Sequence, residues 1–443
     1  MSSPEPVPGA SGWGAAAGSR RSAPPGEPAP LSPAKEPANP VPLCLYVHFP
    51  WCRRKCPYCD FNSHPAGPVL EEDRYVDALL GDLDFELSRL RVDREVRSVF
   101  MGGGTPSLFS PGALARILGG IRARLTLAND AEITLEANPG TTEYADFAAC
   151  LDAGINRLSI GAQSFDDAAL ATLGRIHTAG ETVRAFRKAR GAGFRNINLD
   201  LMYGLPAQAC EGAMDDLDQA IALGPEHISL YQLTLEPNTV FHRYPPPLPP
   251  EDEIARMQET LLGRLRLAGY TQYEVSSHAR EGRQCRHNLN YWNFGDYIGI
   301  GAGAHGKFTD TAGRVQRRAR KRHPAGYLAL AGTEQAVAEI REVGGHDLLF
   351  EFFMNALRLK DGFALSTAAE RTGYSGESIV HVLAPLITRE LAFWTGDRIA
   401  CTDRGYLFLD DALAMVLPDR EAVAARPRPD RQLPGSAIGM ARP

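Results

Sequence analysis

Tyr46-Val47-His48-Phe49-Pro50-Trp51-Cys52-Arg53-Arg54-Lys55-Cys56-Pro57-Tyr58-Cys59 sets three cysteines at C-x3-C-x2-C spacing, directly behind an apolar run, 43–49, that reads as a strand. Three thiolates on one short loop can converge on one soft metal centre, which suits an iron–sulfur cluster. A [4Fe–4S] cubane has four irons. Cys52, Cys56 and Cys59 therefore leave one iron without a protein ligand, open to a substrate or cofactor in the way a catalytic zinc keeps a position open. A structural zinc site completed by His48 or His64 is the alternative, but such sites usually pair two Cys or His doublets, and no second doublet follows. The other five cysteines (Cys44, Cys150, Cys210, Cys285, Cys401) are scattered and read as small apolar residues.

Downstream of this loop, strand-like runs at 96–101, 132–137, 157–161, 196–202, 227–232 and 270–275 alternate with amphipathic stretches. The latter, at 73–91, 111–124, 144–153, 178–191, 214–222 and 252–268, read as helices. Strands alternating with helices imply right-handed βαβ units and a parallel sheet. Six or more such units with short loops predict an α/β fold, an open or partial (β/α) barrel over 41–280 rather than a doubly wound sheet. No fixed repeat period is present, so a solenoid is excluded.

Residues 281–345 read as an aromatic, Gly-rich and basic connecting segment. From 346 to 415 a small α+β unit is expected, with helices at 346–359, 365–371 and 378–390 and strands at 393–394, 398–401 and 406–409, an order that resembles a winged helix. Its ten acidic and six basic side chains are the wrong balance for a phosphate-facing surface. A structural or docking role is expected, and no nucleic-acid partner. The ends, 1–40 and 416–443, read as disordered. The first holds ten Pro and five Gly, and neither end carries enough apolar surface to offset its ordering entropy.

Across 443 residues, 44% are apolar and 23% charged, with a formal charge of −6, which argues against a general polyanion binder. No apolar run approaches the ~20 residues of a membrane span, so at most transient membrane contact is expected. Eight cysteines are too few for a disulfide scaffold, and no secretory signal opens the chain. A reducing, cytoplasmic location follows as an expectation.

C-x3-C-x2-C after the first strand of a (β/α) repeat resembles the signature of the radical S-adenosylmethionine (SAM) superfamily. Its setting, Y-V-H-F-P-W-C…C-P-Y-C-D-F-N-S-H, resembles the oxygen-independent coproporphyrinogen III oxidase-like family, and within it the haem-chaperone, HemW-type branch. The resemblance runs from about 43 to 415. It implies a partial (β/α)6-type radical-SAM barrel with a C-terminal winged-helix-like α+β domain, a [4Fe–4S] cluster on Cys52, Cys56 and Cys59, and SAM at the open iron. In the superfamily the reduced cluster passes one electron to the sulfonium and yields a 5′-deoxyadenosyl radical, so a one-electron reductant is an implied partner.

Ligands of parallel (β/α) folds gather at the C-terminal strand ends. Polar and glycine motifs stand there: Gly102-Gly103-Gly104-Thr105-Pro106, Glu136-Ala137-Asn138, Gly161-Ala162-Gln163, Gly174-Arg175, and Asp200. SAM carries a sulfonium, an ammonium, a carboxylate and a ribose diol. Glu136 and Asp200 suit the diol or the positive charges, Arg175 the carboxylate through a bidentate pair, and Gln163 offers a donor and an acceptor. Positions matching Gly103, Gly104, Thr105, Glu136, Gln163, Arg175 and Asp200 contact SAM in the resembled family, as does the position of Tyr46.

Two features separate the branches. True oxidases of the family carry a further cysteine two positions after the last cluster cysteine, where this chain has Phe61. The stretch Cys285-Arg286-His287-Asn288-Leu289-Asn290-Tyr291-Trp292 contains H-N-x-x-Y-W, which resembles the haem-chaperone motif. A haem site needs an axial ligand and flat walls. His287 is the first candidate ligand, with Cys285 and His305 as others, and Tyr291, Trp292 and Phe294 as walls. The basic run 314–323 suits propionates or an acidic partner but reads by default as a solvated loop. The expected function is haem binding and transfer to acceptor haemoproteins. Coproporphyrinogen dehydrogenase-type activity in porphyrin metabolism is the alternative, and a metal-stabilised structural protein the third reading.

Overall fold

In the computed structural model, residues 41–141 and 146–417 are described. The tails expected at 1–40 and from 418 onward lie outside them, as does the start of the helix expected at 144–153. Strand β1 (Leu43–Phe49) is buried along its whole length except at Tyr46, as a central parallel strand covered on both faces must be. Beside it run β2 (Val96–Gly103), β3 (Leu127–Ala137), β4 (Arg157–Gln163), β5 (Ile197–Tyr203) and β6 (His227–Gln232), each parallel to the last and in chain order. An unreversed order with a helix in every connection is the barrel arrangement, since a doubly wound sheet reverses at a switch point.

The helices are α1 (Glu72–Arg89), α2 (Pro111–Arg122), α3 (Phe147–Asp152), α4 (Asp167–Thr172), α5 (Ala179–Ala192) and α6 (Cys210–Leu223), with α7 (Glu251–Leu267) packed beside α6. Local signals start them: Ser110 caps α2 ahead of Pro111, and Thr178 with Glu181 forms a capping box on α5. Their apolar faces meet the sheet in one core that joins Val76, Leu79 and Leu83 of α1 to Leu45, Val99 and Ile133. The strand expected at 270–275 shrinks to β7 (Thr271–Gln272). It pairs antiparallel with β8 (Ser277–Ala279) at the far edge, outside the parallel repeat.

Residues 281–345 hold more structure than a connector. Helix α8 (Arg286–Trp292) is followed by β9 (Asp296–Ile300), which pairs parallel with β1, and then by antiparallel β10 (His305–Thr309), β11 (Val315–Arg320) and β12 (Val337–Val343). Their weak periodicity has a physical cause. On β11 the buried residues that meet α1 are cations: Arg320 meets Asp82 at 2.7 Å and also Glu86, and Arg318 meets Glu86 at 2.9 Å, with all four side chains buried. The middle of the basic run is therefore a strand carrying a buried ion-pair seam at Arg318 and Arg320, while Arg314, Arg322 and His323 at its ends are exposed. Gly299 also has no room for a side chain, since a Cβ there would lie 1.9 Å from the His305 carbonyl oxygen.

The C-terminal unit contains α9 (Gly345–Ala356), β13 (Phe363–Ala364), α10 (Leu365–Thr372), α11 (Gly376–Thr388), β14 (Ala392–Thr395) and β15 (Arg398–Cys401). The three strands form one antiparallel sheet over Phe352, Phe353, Phe363 and Leu383. The strand expected at 406–409 is instead helical, from Asp403 to Leu407. Thr402 caps that turn through Gly405 N, and Gly405 touches the Leu391 carbonyl too closely to admit a Cβ. No helix among the described residues is long and apolar enough to cross a membrane.

Candidate cluster and cofactor site

The cysteine loop leaves β1 and is tied back at several points. Trp51 and Cys52 pair with His64 and Pro65, and Lys55 Nζ donates to the carbonyls of Phe61 and Ser63 at 3.0 and 3.1 Å. Gly104 N donates to Phe49 O at 2.6 Å, and a Cβ on Gly104 would lie 2.5 Å from Trp51 O, so the glycine is required by the close approach of the two strand-end loops. All three cysteines are free, half-buried and line one cavity of about 320 Å³.

Each sulfur has a polar side chain beside it. Thr105 Oγ1 donates to Cys52 Sγ at 3.4 Å, Arg175 Nη1 to Cys56 Sγ at 3.8 Å, and Ser63 Oγ lies 3.6 Å from Cys59 Sγ. Burial raises the Cys52 and Cys59 thiols, so loading a metal here displaces protons. Among the described residues no three Cys, His, Asp or Glu side chains are grouped as one ion would need. A cubane differs, since it gives each thiolate its own iron. The donor set fits that demand: soft ligands on one loop, with a hydrogen-bond donor near each sulfur, which is how proteins tune such clusters.

Around the same cavity stand Gly103, Gly104, Thr105, Glu136, Gln163, Arg175 and Asp200, brought together from four strand ends and the α4–α5 loop. Gly103 N donates to Glu136 Oε2 at 2.9 Å. Burial, then the nearby Asp200, pushes the Glu136 carboxyl up to about 8. Burial also raises Asp200, against hydrogen bonds from Asn198 at 2.8 Å and Ser159 at 3.2 Å. Arg175 donates to Gly161 O at 2.9 Å and to Asn138 Oδ1. Gln163 holds a left-handed backbone, φ 66°, where β4 slips register against β5. Ser159 and Tyr58, which are not among the expected site residues, line the cavity too. Ser159 had a readable signal, since it stands two residues before Gly161 on one strand and shares its face.

Tyr46, expected at the cofactor, does not line the first cavity. Its ring lines a second cavity, of about 460 Å³, and its hydroxyl meets His48 Nδ1 at 2.9 Å. That cavity shares Phe61, Gly103 and Glu136 with the first and is otherwise walled by Tyr291, Tyr297, His305 and Arg322 among others.

His287 lies inside the barrel and lines neither cavity. It is 2% exposed, stacks on Phe100 at 5.0 Å and meets Tyr291 edge-on at 4.9 Å. Ser98 Oγ lies 2.8 Å from its Nδ1, while Nε2 has no hydrogen-bond partner. Burial, aided by Arg157, pushes it down to about 3, which keeps the imidazole neutral. Cys285 is buried against Glu132, 3.4 Å away, and burial raises its thiol to about 12. Of the expected flat walls, Tyr291 lines the second cavity, Trp292 lies against Arg358, and Phe294 belongs to the C-terminal core beside Phe352.

The radical SAM superfamily profile matches residues 46–217, and the HemN C-terminal domain profile residues 345–408. The chain is 48% identical to the haem chaperone HemW of Escherichia coli, over 85% of this chain and 99% of that protein. It is 36% identical to the haem chaperone HemW of Mycobacterium tuberculosis, over 87% of this chain and 97% of that one. The mouse radical S-adenosyl methionine domain-containing protein 1, mitochondrial, is 44% identical over 60% of each chain. Among solved structures, the radical SAM enzyme coproporphyrinogen III oxidase (HemN) of E. coli superposes with a TM-score of 0.72 at 22% identity, over 85% of this chain and 90% of that one. That likeness establishes the shared fold.

Proposed function

The chain belongs to the haem-chaperone HemW family of the radical SAM superfamily, and from that membership we propose that it binds haem and hands it to apo-haemoprotein acceptors. Cys52, Cys56 and Cys59 would hold a [4Fe–4S] cluster, with SAM in the adjoining cavity. The observation that carries this reading is two cavities meeting across one wall of Phe61, Gly103 and Glu136: thiols and polar strand ends on one side, aromatic rings and His305 on the other.

When bound, the cluster and SAM supply one-electron chemistry at the sulfonium, drawing on an external one-electron reductant. The chain's own residues bind and orient. Gly103 and Gly104 let the backbone approach the ligand, Arg175 offers a planar fork to a carboxylate, and Glu136 and Asp200 present acceptors to the diol or the ammonium. For the haem iron we propose His287. Ser98 sets its Nδ1 and leaves Nε2 free, the arrangement of a metal-binding histidine with its outer partner in place. Reaching it requires the Tyr291 or Phe100 ring to swing aside. Eight free thiols suit a reducing compartment such as the cytoplasm, with membrane contact no more than transient.

Phe61, 61% exposed, occupies the position of the oxidase's additional cysteine, and none of the other five cysteines lines either cavity. Oxidative decarboxylation of coproporphyrinogen III is therefore the weaker reading. An anaerobic haem titration of the cluster-reconstituted protein tests the proposal. It should saturate near one haem per chain, with a ligand-shifted Soret band lost in His287→Ala. Persistence of the band in that variant moves the ligand to His305; unsaturable uptake by the wild type refutes haem binding.

A further inference from the structure

We propose that the second cavity is the cradle of the tetrapyrrole itself, with Arg322 at its mouth receiving a propionate carboxylate. This rests on the haem reading above and adds to it a place and an orientation. The basic run 314–323 is the source of that cation. Arg314 pairs with Asp310, Arg317 with Glu351, Arg318 with Glu86, and Arg320 with Asp82 and Glu86. Arg322 is different: among the described residues it has no carboxylate within ion-pair distance, it is exposed, and it lines the second cavity.

Its position is set by the cluster loop. Asn62, three residues after Cys59, donates through Nδ2 to Arg322 O and to Ala302 O, both at 2.9 Å. Gly303 beside it admits no side chain, because a Cβ would lie 2.2 Å from Asn62 Nδ2, and its φ of 79° is a glycine conformation. The cation thus stands on a backbone fixed to the cluster loop rather than on a free arm.

The walls suit a flat ring. Tyr46, Phe61 and Tyr297 give it an aromatic lining, Tyr291 is the ring that both lines it and packs edge-on against His287 at 4.9 Å, and the volume lies in the ~300–1,000 Å³ range of small-molecule sites. Charge then gives the direction of entry. Arg322, at the exposed end, is the only Lys or Arg side chain among the described residues lining this cavity, whereas the wall shared with the first cavity offers Phe61, Gly103 and Glu136 and no cation to hold an acidic edge. Propionates therefore face outward and the apolar edge faces the SAM side. His305, beside Arg322, is pushed toward its neutral form by burial and by that guanidinium.

The test compares haem with iron protoporphyrin IX dimethyl ester, which has the same ring and no carboxylates. Arg322→Gln should weaken haem about tenfold, the scale of one charge-assisted hydrogen bond, and leave the ester's affinity at the wild-type value. Arg322→Lys, which keeps the charge without the fork, should fall between. Wild-type haem binding that is saturable and unchanged by Arg322→Gln overturns the cradle and leaves the chaperone reading standing. Equal weakening of haem and ester overturns it too, since that marks a structural effect. Failure of the wild type to saturate with haem overturns both.

Discussion

Glu136 shows how much one side chain in a shared wall can determine. Burial and Asp200 disfavour the charge and push its carboxyl up to about 8, against 4.5 for an ordinary glutamate. Between about pH 5 and 8 the folded state keeps a proton that the unfolded chain has released, so stability falls as pH rises through that window. We predict that the melting temperature of the ligand-free protein declines from pH 5 to 8 and that Glu136→Gln flattens the decline. SAM affinity should rise with pH toward 8, because the cationic ligand favours the carboxylate, and the Gln variant should lose that dependence with at least a tenfold weaker Kd. The cluster cysteines and this glutamate were legible in the sequence because their chemistry is written in residue type and spacing. Tyr46 and His287 were less so: residue type names a phenol and an imidazole, but only the packing of Phe100 and Tyr291 decides which cavity, if any, each one faces.

At the scale of elements, the parallel strands were readable to within a residue or two where burial on both faces leaves an apolar run, as in β1 and β6. Strand β11 was hidden because the residues it buries against α1 are Arg318 and Arg320, so hydrophobic alternation has nothing to report. This seam gives its own prediction. Asp82→Asn leaves the buried Arg320 with Glu86 as its remaining carboxylate and should cost about 3–5 kcal/mol, read as a lowered denaturation midpoint, with iron content per folded molecule unchanged. A second element-scale device lies after β4. Asp216 of α6 accepts from Ser164 Oγ at 2.8 Å and from Phe165 N at 2.5 Å, and so holds the turn in which Gln163 is left-handed. Asp216→Ala should weaken SAM several-fold, and much less in a Gln163→Gly background, where the side chain that the turn presents is already gone.

For the whole molecule, the six-unit barrel and the small α+β unit followed from the alternation of patterns, whereas the extension of the sheet to twelve strands did not. Four of those strands come from a stretch whose glycines and arginines answer to tertiary contacts rather than to local propensity. The result is one continuous sheet on which the cluster loop, the strand-end cavity and the aromatic cavity are neighbours. The iron chemistry that this arrangement implies is directly checkable: Cys56→Ala should reconstitute with little iron or labile sulfide, and Cys150→Ala, altered in a distant buried site, should match the wild type.

Whether this arrangement delivers haem or decarboxylates a porphyrinogen is decided by a transfer assay. The haem-loaded, cluster-reconstituted protein is mixed anaerobically with an apo-haemoprotein, and the acceptor's Soret band is followed in time. The acceptor should fill faster than haem leaves the protein alone, and coproporphyrinogen III with SAM and a reductant should yield no protoporphyrinogen. An acceptor that fills no faster than free dissociation allows, together with protoporphyrinogen formed from the substrate, would contradict haem delivery.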